Sequence, residues 1–276
     1  MRRAPIRTVA IYSVLFLLVA FALAPILWGL TTSLKSTAVI NAYPPIWLPS
    51  PVTVEHYSRV VFGSNMLTYF RNSTLIFIAT ALISIIVASH AAYAADRFEF
   101  RGKNLMLFVI LCTMMIPSIT ILVPLYMLVT AAGLNDTLLA LILVYSACLV
   151  PTCLWIMRGF FAAVPKSLDE AAMIDGCSRL QIFYRIVLPL TWPGVSAMAI
   201  VIFRFTWNEY IIALTMSSSD STRTIPVGLY YFVAAFGIEW GVLMAAVMLA
   251  LIPAIVVFVL MQRKFVEGMT SGAVKG

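Results

Sequence analysis

An all-α protein that crosses a membrane several times as a single domain (1–276) is what this sequence predicts. Three observations predict it. Hydrophobic residues make up 62% of the chain and charged residues 11%, against about 25% charged in an ordinary soluble domain. Apolar runs recur at the length of about 20 residues that spans roughly 30 Å of hydrocarbon. Basic residues flank these runs, so the net charge of +7 reads as an orientation signal rather than a nucleic-acid surface.

Six spans follow from the apolar runs: about 8–31, 72–95, 104–129, 137–157, 192–214 and 240–262. The first follows Met1-Arg2-Arg3 and mimics a signal peptide, with Ala22-Leu23-Ala24 resembling a cleavage site. The run from 8 to 30 is longer than the usual apolar core of a leader, and Pro25 opposes cleavage, so an uncleaved first span is expected. Residues 41–51 are Pro-rich and aromatic and suit an interfacial loop; residues 217–226 are polar and turn-prone. Pro117 and Pro124 each remove a backbone donor from span 3 and invite a kink. Trp28, Tyr43, Trp47, Tyr230, Tyr231 and Trp240 fall near span ends, as interfacial belt residues do. No internal repeat is visible.

Six spans put both termini on one side. Thirteen Lys and Arg fall on that side, whereas Lys35, Arg59, Arg71 and Arg223 fall on the other. The positive-inside rule makes the thirteen-residue side the cytoplasm, and with it the long loop of about 158–191. Within that loop, Ser167 stands three residues before Glu170, the spacing of a capping box that starts a helix. Ala171 and Ala172 are small enough for close approach by another surface. Asp175-Gly176 ends the helix, because glycine accepts a left-handed backbone. Leu180, Phe183, Tyr184 and Val187 then make one apolar face of a second helix, closed by Pro189. A helix–glycine–helix elbow on the cytoplasmic face is expected, in which Gly176→Asp uncouples any movement it transmits.

Glu170-Ala171-Ala172, Gly176, Ile186 and Leu188-Pro189 stand at the spacing that resembles the EAA loop of binding-protein-dependent ABC importer permeases. Ser33-Leu34-Lys35, Ala91-Ala92-Tyr93-Ala94, Trp207-Asn208-Glu209-Tyr210 and the tail 268–276 resemble the second permease of the maltose-type carbohydrate importers. The resemblance implies a type I ABC importer permease fold and a bacterial inner-membrane location. It implies a coupling helix (Glu170, Ala171, Ala172, Asp175, Gly176, with Ile186, Leu188 and Pro189) docked on an ATPase. It also implies a second permease as heterodimer partner, two ATPase subunits that carry ATP and Mg, and a periplasmic solute-binding protein. The tail residues Ser271, Gly272 and Lys275 are expected to reach the ATPases.

Arg204 lies within span 5, where a charge costs on the order of 2.5–3.5 kcal/mol on insertion scales. Asn208 is four residues on and Glu209 five. Either Arg204 pairs with Glu209 or a partner subunit, or Arg204, Asn208 and Glu209 line the solute path. On a path, Arg204 favours an anionic sugar derivative. No GxxxxGK[ST] loop is present, so a non-catalytic permease without cofactor is expected. His56 and His90 lack metal-ligand spacing, and Cys112, Cys148, Cys153 and Cys177 read as reduced packing residues. A self-contained transporter gated by Arg204 and Glu209, or a membrane enzyme, are the competing classes.

Overall fold

The structure, a computed structural model, describes residues 4–236 and 238–273, with side chains described for 8–231 and 238–260. Every regular element among the described residues is helical. In chain order they are α1 (Ala4–Ser33), α2 (Thr37–Ile40), α3 (Glu55–Phe62), α4 (Met66–Arg97), α5 (Lys103–Thr113), α6 (Leu122–Ala131) and α7 (Leu138–Ala162). Then come α8 (Lys166–Ile174), α9 (Arg179–Ile182), a π-helical turn (Phe183–Val187), α10 (Leu188–Leu190), α11 (Trp192–Asn208), α12 (Ile211–Met216), α13 (Ile225–Phe236) and α14 (Trp240–Ala273).

Four stretches are unbroken and apolar enough to cross a membrane: Thr8–Ser33, Met66–Arg97, Leu138–Ala162 and Trp240–Leu260. The runs 104–129 and 192–214 are broken, which corrects the reading of each as one continuous helix. Span 3 divides into α5 and α6 across a stretch of turns that contains Pro117. Pro124 makes no kink of its own. It falls in the first turn of α6, where a backbone N–H has no partner within the helix and its loss is tolerated. Span 5 breaks where Glu209 turns extended, with ψ 126°. Helix α13 begins inside the run 217–226 that was read as a loop, and at 12 residues it is too short to register as a span.

Two compact units make up the chain. One comprises Met1–Leu67 and Gly228–Pro253. Here α1 lies with most of its apolar length exposed, as a helix facing lipid or another subunit does. Gly29 brings its end close to α14: a methyl at that position would stand 3.0 Å from the Met248 side chain. Arg59 of α3 grips Glu239 with two hydrogen bonds of 2.6 and 3.1 Å, and His56 bonds the Lys35 carbonyl through Nε2 at 2.8 Å.

The other unit comprises Thr68–Val227 and Ala254–Gly276. Its core packs α4, α7 and α11 together through Ala88, Ala92, Leu149, Cys153, Met157, Met198 and Ile202. Gly194 permits the close approach of α11 to α7, since a methyl there would meet the Phe160 ring at 2.7 Å. The polar run 217–224 is pinned rather than loose. Asp136 accepts from the backbone of Ser218 and Ser219 at 2.8 and 3.0 Å and from the Thr222 hydroxyl. Asn72 of α4 donates to the carbonyls of Ser221 and Arg223 at 2.8 and 2.9 Å.

Candidate functional site

The elbow of 165–190 is built from its two ends. Its first helix, α8, starts at Pro165, whose φ of −58° and ψ of 133° make it the cap residue. Proline is already set to the helical φ, and the helix begins two residues earlier than a Ser167 cap allows. Ser167 is therefore the second helical residue, and α8 has no side-chain cap; the expected Ser167–Glu170 box does not form. The capping box occurs in the second arm. The Ser178 hydroxyl accepts from the Gln181 backbone N–H, and the Gln181 side-chain Oε1 accepts from the Ser178 N–H at 2.7 Å.

Between the arms, Gly176 has φ +83°. Its N–H bonds the Met173 carbonyl at 3.1 Å, and the Cys177 N–H bonds the Ala172 carbonyl at 2.9 Å. These two bonds define a Schellman stop, which needs the left-handed residue where Gly176 stands. Ala172 and Cys177, brought together by that stop, both join the hydrophobic cluster beneath. The spacing from Ala172 to Gly176 is thus the spacing of one helix end.

The second arm corrects the apolar-face reading. Leu180 and Tyr184 are exposed at 65% and 52%, while Ile182, Phe183 and Val187 are buried. Leu180 precedes the π-helical turn and stands two residues, about 200° of helix, from the buried Ile182, while the i→i+5 bonding of the turn takes Tyr184 off the 3.6-residue period. Ile186 and Leu188 also pack against the cluster, whereas Pro189 is exposed inside α10 and does not end the arm. The direction changes instead at Thr191, where 179–190 and 192–208 meet at 74°.

An ion pair absent from the sequence reading fixes the elbow to α4. Arg97 Nε lies 2.7 Å from Asp169 Oδ2, with the two side chains 3% and 4% exposed. The approach is off the N–H axis, so this is an ionic contact rather than an aligned hydrogen bond. Arg97 also holds Asp96 at 2.6 Å and donates to the Val164 carbonyl at 3.0 Å. A second tie joins His90 Nε2 of α4 to the Tyr184 hydroxyl at 2.8 Å, with the imidazole ring 4.7 Å from the Phe183 ring. With Asp169 and Ala172 turned inward, Ser167, Glu170, Ala171 and Ile174 face outward, and Ile174 is 87% exposed. Asp175 and Gly176 are exposed beside them. One of these features was open to sequence reading: Ser178 and Gln181 have the box spacing.

The span 5 residues separate. Glu209 does not pair with Arg204. Its carboxylate accepts from the Tyr145 hydroxyl at 2.6 Å and from the Ile212 and Ala213 N–H groups at 2.8 and 2.9 Å, which caps α12. Asn208 is exposed and donates to the Arg204 carbonyl at 2.8 Å. Arg204 is exposed on a cavity of about 350 Å³ bounded by the break in span 3, α7 and α11. Among the described residues it has no ion-pair partner. Ser271 and Gly272 fall in α14 beyond the described side chains, and Lys275 lies outside the described residues. All four cysteines are free thiols.

Residues 81–271 match the family of binding-protein-dependent transport system inner membrane components. The chain is 35% identical over 252 residues to the diacetylchitobiose uptake system permease of Streptomyces coelicolor, covering 91% of each. It is 33% identical over 260 residues to the sulfoquinovosyl glycerol transport system permease of Agrobacterium fabrum, covering 94% of this chain and 91% of that one. It is 35% identical over 268 residues to the trehalose/maltose transport system permease of Thermococcus litoralis, covering 94% of each. In fold it is similar to a chain of the bacterial ABC transporter involved in import of the acidic polysaccharide alginate, with TM-score 0.85 over 96% of this chain and 98% of that one, at 22% identity. The chain therefore belongs to the binding-protein-dependent transport system inner membrane component family, as a permease subunit of an ABC importer whose ATPase is a separate subunit.

Proposed function

We propose that this chain is one half of a permease heterodimer in an ATP-driven importer of a carbohydrate or related polar solute delivered by a periplasmic binding protein. It crosses the bilayer six times with both termini in the cytoplasm, spans 3 and 5 crossing as broken helices. The distribution of thirteen basic residues against four supports that orientation. The sugar-named cargoes of the relatives support the solute class.

The elbow is the contact with the ATPase. Glu170, Ala171 and Ile174, with Ala172 and Asp175-Gly176 shaping the helix end, dock into one of two ATPase subunits that hold ATP and Mg. Ile186, Leu188 and Pro189 carry the second arm, and Ser271, Gly272 and Lys275 make a further contact from the tail. One observation carries the reading: α8 is locked to α4 through Asp169 and Arg97 while it presents Ile174 to solvent. A rigid arm with a free apolar face can pass a rigid-body displacement to the spans. Arg204 and Asn208 lie on the solute path, and Glu209 holds the path's wall in shape. Arg204 extends the cargo class to anionic sugar derivatives.

Purification of the chain in mild detergent tests the proposal. An ABC ATPase and a second permease are expected to follow it, and Gly176→Val is expected to lower the ATPase yield. Recovery of the folded chain alone or as a homo-oligomer contradicts it.

A further inference from the structure

The cavity beside Arg204 has the composition of an anion subsite. Among the described residues it has one cation, supplied by Arg204, and hydroxyls from Thr113, Ser118 and Thr152, and no Asp or Glu lines it. The nearest acid in sequence, Glu209, is spent on Tyr145 and on the cap of α12. Among the described residues of this chain, Arg204 has no counter-charge of the kind a membrane-embedded guanidinium ordinarily finds. The volume of about 350 Å³ lies in the range of small-ligand sites. The break between α5 and α6 matters here as well. It places Thr113 and Ser118 at the cavity wall, where an unbroken helix would turn part of this stretch away.

We propose that this cavity is a subsite for a single carboxylate or sulfonate on a sugar-sized solute, with Arg204 as its fork of donors and the three hydroxyls completing the shell. A guanidinium offers paired N–H donors that match the two or three oxygens of such a group. A neutral sugar leaves the charge unmatched, so the site discriminates by charge before size. This inference rests on the solute-path reading of Arg204.

Cys148 lines the same cavity and is an internal reporter. In the assembled complex, its modification by a sulfonate-bearing methanethiosulfonate is compared with that by an ammonium-bearing one, the other three cysteines being changed to serine. A second reporter, Ala147→Cys in a Cys148→Ser background, covers the same wall. The sulfonate-to-ammonium rate ratio is expected to fall roughly tenfold in Arg204→Gln, as loss of one nearby charge dictates. Glucuronate is expected to slow modification in the arginine protein more than glucose does. Equal ratios with and without Arg204, or both thiols inert to both reagents, overturn the subsite. Equal protection by glucuronate and glucose does so too. A complex that keeps its ATPase but lacks charge selection defeats the subsite alone. A charge-selecting chain that never retains an ATPase defeats the importer reading instead.

Discussion

Arg97, the last residue of α4, places its Nε 2.7 Å from Oδ2 of Asp169 in α8, and neither side chain is more than 4% exposed. One guanidinium thereby joins the end of a membrane-spanning helix to the first turn of the elbow, and neutralising it strands two carboxylates, Asp96 and Asp169. Removing one member of a buried pair typically costs about 3–5 kcal/mol. Arg97→Gln is expected to destabilise the chain by that order, and Asp169→Asn somewhat less, because Asp96 still pairs with the arginine. Replacing both Arg97 and Asp169 by Met and Leu should recover stability relative to Arg97→Gln. Thermal unfolding of the detergent-purified complex reads this; single variants as stable as the parent would count against the anchor.

Gly176 gives a graded prediction. A Cβ there meets nothing within 4 Å, so the first penalty for a side chain is torsional. Asparagine tolerates the left-handed region, and a non-glycine residue otherwise pays on the order of 1–2 kcal/mol. Retention of the ATPase should therefore rank Gly, then Asn, then Asp, then Val. Asp falls below Asn because a negative charge at the end of α8 opposes the helix dipole. A ranking by side-chain volume alone would show the turn is not the determinant.

Glu209 is expected to behave as a structural acid. Glu209→Ala strands the Tyr145 hydroxyl and the two N–H groups at the start of α12, at about 1–3 kcal/mol for each buried group left unsatisfied. The complex should lose thermal stability, whereas the charge selectivity of cysteine modification beside Arg204 should keep its magnitude. A clear rise in the sulfonate preference, as loss of an acid from the cavity would produce, would return Glu209 to the path.

Asp136 predicts an acid-side effect. Burial alone would push its carboxyl up, but hydrogen bonds from Thr222, Ser219 and Ser218 outweigh it and hold the carboxyl well below the usual carboxylate range. A depressed folded value contributes stability above the unfolded value, near 4, and that contribution fades as pH falls toward the folded value. The stability gap between the parent and Asp136→Asn should be flat from about pH 7 to 5 and narrow below about pH 4. A gap that widens on acidification would contradict the sign.

Composition and the apolar period made the helical membrane fold legible, because a bilayer demands continuous apolar length. They could not show where a span breaks, since an apolar run reads alike whether or not Pro117 or Glu209 interrupts its backbone. The Ala172–Gly176 turn was legible because a Schellman stop has a fixed spacing. The face of the second arm was misread because the buried side centres on Ile182 rather than Leu180, and the π-helical turn at 183–187 changes the period beyond it without changing the residues. The Arg97–Asp169 pair spans 72 positions, and only the fold brings such partners together.

The central claim, that α8 docks on an ATPase through its outward face, is tested most directly by proximity cross-linking from Ile174. With the four native cysteines changed to serine and Ile174→Cys introduced, a short thiol-to-amine cross-linker is applied to native membranes. The conjugate is then identified by mass spectrometry. The account predicts linkage to an ABC ATPase, lost when Gly176→Val is added. Linkage only to lipid-facing segments of other chains, or none with the thiol reactive, would contradict it.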